Sequence, residues 1–215
     1  MNNKEIERFQ FITNGADPKV HIEQTEKVCE GGCKWVQLRM KNFDEEIFLD
    51  TALKVKGITD KFNSKLIIND NVNIAKEVGA SGVHLGKYDM KVNQAREFMG
   101  NSFIIGGTAN TFSEVAGISA EGVDYIGLGP YRHTTTKKKL SQVLGITGYS
   151  SILDQLKEAK VFTPIIGIGG ITEDDIDCVL QAGLYGVAVS SVITHAENIV
   201  LKTKKIIDKI QNHIR

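Results

Sequence analysis

Eight short apolar runs recur along the chain, each followed within a few residues by a stretch of helical spacing, and this alternation constrains the fold most tightly. The runs lie at 9–13, 35–39, 65–68, 82–85, 103–106, 123–128, 164–168 and 186–189. Helices are expected between them over 20–30, 43–62, 72–78 and 91–99, from Thr111, and over 148–159 and 173–182, with a closing amphipathic helix over 195–213. Gly31-Gly32 stops the first helix, and Thr111 with Glu114 has capping-box spacing. Strands separated by crossover helices run parallel, because each helix returns the chain to the end from which it started.

An open doubly wound sheet and a closed barrel both accommodate such units. A dinucleotide-binding sheet needs a glycine-rich turn after its first strand, and Thr13-Asn14-Gly15-Ala16-Asp17 does not supply one. Eight units in 215 residues fit a compact (β/α)8 TIM barrel, an α/β fold in a single domain spanning 1–215.

Charge narrows the partners. Lys plus Arg and Asp plus Glu number 26 each, so no net field attracts nucleic acid or an anionic membrane surface. No apolar run of about 18 residues is present, which argues against a membrane span. The polar start, Met-Asn-Asn-Lys-Glu-Ile-Glu-Arg, lacks an apolar signal core, and a cytoplasmic location is expected. Cys29, Cys33 and Cys178 lack the spacing of a four-ligand zinc site and read as reduced thiols.

A barrel carries its chemistry at the C-terminal strand ends. There the sequence places Gln37, Arg39 and Lys41 after strand two, Asn69 and Asp70 after strand three, and His84, Lys87 and Asp89 around strand four. Thr108 and Asn110 follow strand five. Arg39 and Lys41 are cations suited to a polyanion, whereas Asp70 and Asp89 suit a hard cation that also takes phosphate oxygens. Each acid also stands where a helix N-cap would, and His84 also reads as a satisfied core histidine.

Two further stretches suit anions. Gly127-Leu128-Gly129-Pro130 leads into Thr134-Thr135-Thr136-Lys137-Lys138-Lys139, which combines hydroxyls, backbone donors and positive charge. Lys138 and Lys139 read as solvated. Gly169-Gly170 before a helix, with Ser190-Ser191 after strand eight, occupies the position where many barrels bind a phosphate. The residues thus propose two grips, one cationic and metal-linked, the other for a monophosphate.

In order and strand placement, Gln37-Leu38-Arg39-Met40-Lys41, Ile68-Asn69-Asp70, Gly82-Val83-His84-Leu85-Gly86 with Asp89, Gly127-Leu128-Gly129-Pro130, Thr134-Thr135-Thr136-Lys137 and Gly167-Ile168-Gly169-Gly170-Ile171 resemble the thiamine phosphate synthase family. The resemblance spans nearly the whole chain. It implies a Mg2+-dependent transferase of thiamine biosynthesis. Two small-molecule substrates would be joined: a hydroxymethylpyrimidine diphosphate and a thiazole phosphate, with or without a ring carboxylate. Pyrophosphate would be released.

By the same resemblance, Gln37, Leu38, Arg39, Met40, Lys41, Asn69, Thr108 and Lys137 would contact the pyrimidine diphosphate, with Arg39, Lys41 and Lys137 catalytic. Asp70 and Asp89 would hold the metal, and Thr134, Thr135, Thr136, Gly170, Ser190 and Ser191 the thiazole phosphate. A homodimer is a further suggestion of the resemblance. The chain departs from the family pattern at Asn14, Lys87, Thr108, Asn110 and Arg132-His133. Rival readings are a thiazole tautomerase-like barrel, a sugar-phosphate isomerase or aldolase, and a non-catalytic thiazole-phosphate sensor. A tautomerase needs no diphosphate grip, and the presence of Gln37, Lys41, Asn69, Asp70, Asp89 and Lys137 argues against it.

Overall fold

A computed structural model describes residues 4–133 and 142–214. The elements run β1 (Phe9–Ile12), α1 (Pro18–Glu30), β2 (Trp35–Leu38), α2 (Glu45–Lys61), β3 (Lys65–Asn69), α3 (Val72–Glu77), β4 (Gly82–Leu85), α4 (Val92–Met99) and β5 (Ile104–Ala109). They continue with α5 (Phe112–Ala120), β6 (Tyr125–Leu128), α6 (Gly145–Glu158), β7 (Ile165–Ile168), α7 (Ile176–Gln181), β8 (Gly186–Val189), α8 (Ser191–Thr194) and α9 (Ile199–Ile214). All neighbouring strands pair in parallel, and β8 returns to β1 to close the barrel in the order β1 to β8.

The strands are buried on both faces, as a helix-wrapped parallel barrel demands. Their period of two sorts side chains between two cores. Ile12, Trp35, Ile67, Ile104, Tyr125, Ile166 and Ala188 fill the interior. Phe11, Val36, Leu38, Ile68, Ile105, Ile126 and Val187 point outward and pack beneath the helices. Each fully buried Leu, Ile or Val contributes roughly 1.5–3 kcal/mol relative to exposure, so the register is strongly specified.

The structure adjusts three expectations. Strand β5 runs on through Gly106-Gly107-Thr108 to Ala109, because those glycines sit inside a ladder rather than a turn. The helix expected at 173–182 begins as a 3-10 turn, Glu173–Asp175, before α7. The closing helix expected at 195–213 divides into α8 and α9. Thr111 caps α5, accepting from the Glu114 N–H, and Cys29, Cys33 and Cys178 are free thiols. Burial pushes the Cys33 thiol up to about 12. Among the described residues, no helix is long and apolar enough to cross a membrane.

Candidate active site

The barrel mouth at the β2–β4 side is held together by charge. Lys41 Nζ lies 2.9 Å from Asp70 Oδ2, with half of the lysine side chain exposed. Asp70 and Asp89 share a carboxyl–carboxyl hydrogen bond, and Asp89 Oδ2 accepts from the Gly86 N–H at 2.7 Å. Burial opposes ionisation of Asp70, yet its bonds from Asp89 and Lys41 hold the carboxyl below the usual range. Burial and then neighbouring Asp70 push Asp89 upward.

Neither acid serves as a helix cap. Asn71 caps α3, its Oδ1 accepting from the Ile74 N–H at 2.9 Å, and Lys91 occupies the N-cap position of α4. Asp70 is instead held at φ 66°, in the left-handed region that few residues other than glycine enter, Asp among the more frequent of them. The capping alternative for both residues falls, and two carboxyls are left facing one another over Gly86. That donor pair fits a cation that completes its shell with water and phosphate oxygens.

The other residues of the β2 segment divide by the strand alternation. Gln37 is buried inside the barrel. The Arg39 backbone N–H donates to Thr13 Oγ1 at 3.0 Å; burial lowers the pKa of its half-buried guanidinium, and Asp70 opposes that shift. Leu38 and Met40 are packed in the outer core, so their side chains are not brought to the mouth. Asn69, at the tip of β3, lies in register with His84.

His84 is a buried, fully bonded histidine, as its core reading anticipates. Its Nδ1 is 3.0 Å from Tyr125 Oη and its Nε2 is 2.9 Å from Thr108 Oγ1. Lys87 turns away from Asp89 to Glu114, at 2.6 Å, and Glu114 Oε2 accepts from the Asn110 N–H. Asn110 in turn donates to the Gly129 carbonyl. Two departures from the family pattern, Lys87 and Asn110, thus form one bracket between the β4, β5 and β6 loops. A cavity of about 430 Å3 opens beside Asp89 and Thr108.

The β7–β8 side relies on backbone shape. Gly169 and Gly170 have φ 90° and 75°, and a Cβ at Gly170 would lie 2.9 Å from Arg132 Cβ. Only glycine takes that conformation without strain. Gly170 passes beneath Arg132, whose guanidinium grips Asp175 with two bonds. Asp175 also accepts from the Thr172 N–H and hydroxyl, completing a capping box. At the helix start after Gly170, Asp175 therefore takes up the Thr172 N–H.

What remains is the glycine turn with Ser190 and Ser191. Among the described residues Ser190 Oγ is buried and has no hydrogen-bond partner, while Ser191 is exposed at the start of α8. A buried hydroxyl without a partner is costly and marks a place where an acceptor or donor is wanted. A second cavity, about 370 Å3, lies against Thr172, Ser191, His195 and Lys202.

Thr134, Thr135, Thr136 and Lys137 lie outside the described residues. Their flanks are fixed: Tyr131 N–H donates to Ile168 O and Arg132 N–H to Gly169 O, while Leu144 and Gly145 N–H donate to Pro130 O and Tyr131 O. Sequence reading missed Gln10 and Tyr125, which bond to Gln37 and His84 inside the barrel; the period-two alternation is the signal that points them inward.

Residues 9–193 match the family described as thiamine monophosphate synthase. The chain belongs to that family. It is 47% identical over 200 residues to a thiamine-phosphate synthase of Bacteroides thetaiotaomicron, covering 93% of this chain and 96% of the relative. A thiamine-phosphate synthase of Phocaeicola vulgatus is 45% identical over 208 residues, covering 97% and 100%. Among solved structures, a thiamine phosphate pyrophosphorylase from Pyrococcus furiosus superposes with TM-score 0.86 at 27% identity, covering 97% of each chain. Thiamine monophosphate synthase family membership and the closed barrel thus agree.

Proposed function

We propose that this chain is a thiamine phosphate synthase that joins a hydroxymethylpyrimidine diphosphate to a thiazole phosphate. The observation that carries the reading is the convergence of Lys41, Asp70 and Asp89 at one side of the mouth, with neither acid used as a cap. A sugar-phosphate barrel needs the glycine turn alone. A tautomerase does not need this charged cluster.

The reaction breaks the bond between the pyrimidine methylene carbon and the diphosphate oxygen. Pyrophosphate leaves with the electron pair, and the thiazole nitrogen then donates its lone pair to the methylene carbon. No activated nucleophile of the protein is required. Arg39 and Lys41 neutralise charge gathering on the leaving group, which is the dominant form of catalytic stabilisation. Lys137 belongs with them on the family pattern.

Asp70 and Asp89 would hold Mg2+, which when bound supplies a Lewis acid for the diphosphate oxygens. Gln37, Asn69 and Thr108 orient the pyrimidine half. Gly170, Ser190 and Ser191, with Thr134, Thr135 and Thr136, hold the thiazole phosphate. Keeping both substrates in line is a proximity effect.

Mixing the purified chain with both substrates and Mg2+ tests the assignment. Thiamine phosphate and pyrophosphate are expected in equal amounts, and activity should vanish with chelator and return with Mg2+. Binding of both substrates without turnover would overturn the reading in favour of a sensor.

A further inference from the structure

The barrel interior carries a continuous line of polar side chains, three of which, Gln10, Tyr125 and His84, have no part in the proposed reaction. Gln37 Nε2 donates to Gln10 Oε1 at 3.2 Å, and Gln10 Nε2 donates to Tyr125 Oη at 3.2 Å. Tyr125 Oη meets His84 Nδ1 at 3.0 Å, and His84 Nε2 meets Thr108 Oγ1 at 2.9 Å. The line starts and ends on two residues assigned to the pyrimidine diphosphate.

The fold makes room for it deliberately. His84, Gly106 and Tyr125 stand side by side in register across β4, β5 and β6. A Cβ on Gly106 would overlap the Tyr125 ring, so the missing side chain is the gap through which the phenol reaches the imidazole. Trp35 packs edge-on against Tyr125, with ring centroids 4.7 Å apart.

The direction of the line follows from counting protons. Tyr125 has one O–H and is wholly buried, so that proton needs an acceptor. Gln10 Nε2 already donates to that oxygen. The phenol therefore donates to His84 Nδ1. A neutral imidazole accepting at Nδ1 carries its proton on Nε2 and donates to Thr108 Oγ1. Thr108 is left with its own O–H as a donor toward the mouth, and Gln37 with its carbonyl oxygen as an acceptor.

We infer that Gln10, Tyr125 and His84 are positioning residues that set the polarity of the pyrimidine site, fixing Gln37 as acceptor at one end and Thr108 as donor at the other. An amino group on the pyrimidine and an oxygen of the diphosphate have the complementary polarities. The inference rests on the proposed function for its ligand but not for its chemistry. Turning both amides over would reverse every donor, place the imidazole proton on Nδ1 and make Thr108 an acceptor.

The test is 15N NMR of histidine-labelled protein without substrate at neutral pH, with the His84 signals assigned through His84→Gln. The expected result is the Nε2–H tautomer in the wild type and a tautomer mixture in Tyr125→Phe, with circular dichroism showing the fold. In steady-state kinetics Tyr125→Phe should lower kcat by about 10- to 100-fold and raise KM for the pyrimidine diphosphate, leaving KM for the thiazole phosphate unchanged. Gln10→Met removes the donor above the phenol and should randomise the tautomer in the same way.

An Nδ1–H tautomer or a doubly protonated ring in the wild type would overturn the inference, and that measurement stands even if a variant fails to fold. A folded Tyr125→Phe with an unchanged tautomer and unchanged kinetics would overturn it too. Wild-type protein that shows the Nε2–H tautomer but makes no thiamine phosphate supports the chain and removes the assigned reaction, so the two failures are told apart.

Discussion

On the β2–β4 side of the mouth, ionisable side chains hold one another: Lys41 pairs with Asp70, and Asp70 shares a hydrogen bond with Asp89. On the β7–β8 side, Arg132 and Asp175 are already paired with each other, beside a glycine turn and a buried Ser190 hydroxyl that has no partner among the described residues. The first grip should answer to changes of charge and the second to changes of backbone shape. A substrate with a diphosphate and metal suits the former, whereas a monophosphate held by backbone donors suits the latter.

The sharpest way to break this contrast is to remove one charge. Asp70→Asn keeps size and shape, and thiamine phosphate formation should fall by about 100- to 1000-fold or more with the circular dichroism spectrum unchanged. Next in size is Gly170→Ala, which places a Cβ 2.9 Å from Arg132 Cβ at φ 75°. That strain costs about 1–3 kcal/mol, measurable in urea unfolding, and KM for the thiazole phosphate should rise more than KM for the diphosphate.

A smaller effect tests the clamp beneath the glycine turn. Burial alone would raise the Asp175 carboxyl, but its bonds from Arg132 and Thr172 outweigh burial and hold it below the usual carboxylate range. A depressed carboxyl contributes stability that is full above its unfolded pKa and lost as pH falls through the folded value. The wild type should therefore lose stability relative to Asp175→Asn only below about pH 4. Arg132 is half exposed, so this ion pair contributes no more than about 1 kcal/mol. Smallest of all is Lys87→Gln: the lysine faces Glu114 rather than Asp89, and turnover should match the wild type while stability drops by under about 1 kcal/mol.

The two regions were also unequally legible. The eight apolar runs alternate with stretches of helical spacing, so the barrel could be read directly, whereas strands apolar on both faces do not show which side points inward. Gln37, Asp70 and Asp89 sit at strand ends where polar residues stand out. Strand β5 extends past the apolar run at 103–106 through Gly107 and Thr108, and Gly106 clears space for Tyr125, a partner supplied by another strand. The Arg132–Asp175 clamp and the Gln10–Tyr125 bond join residues 43 and 115 apart, and no local pattern pairs them. The capping ambiguity at Asp70 needed coordinates, since Asn69, Asp70 and Asn71 are all good caps and only geometry selects Asn71.

The central claim is that the mouth holds two independent grips, and each substrate titrated separately into Asp70→Asn and Gly170→Ala by calorimetry tests it most directly. With Mg2+ present, the account predicts that Asp70→Asn loses pyrimidine diphosphate affinity while keeping wild-type affinity for the thiazole phosphate, and that Gly170→Ala shows the reverse. Folded variants that lose both affinities together, or an Asp70→Asn protein that binds the diphosphate as tightly as the wild type, would contradict it.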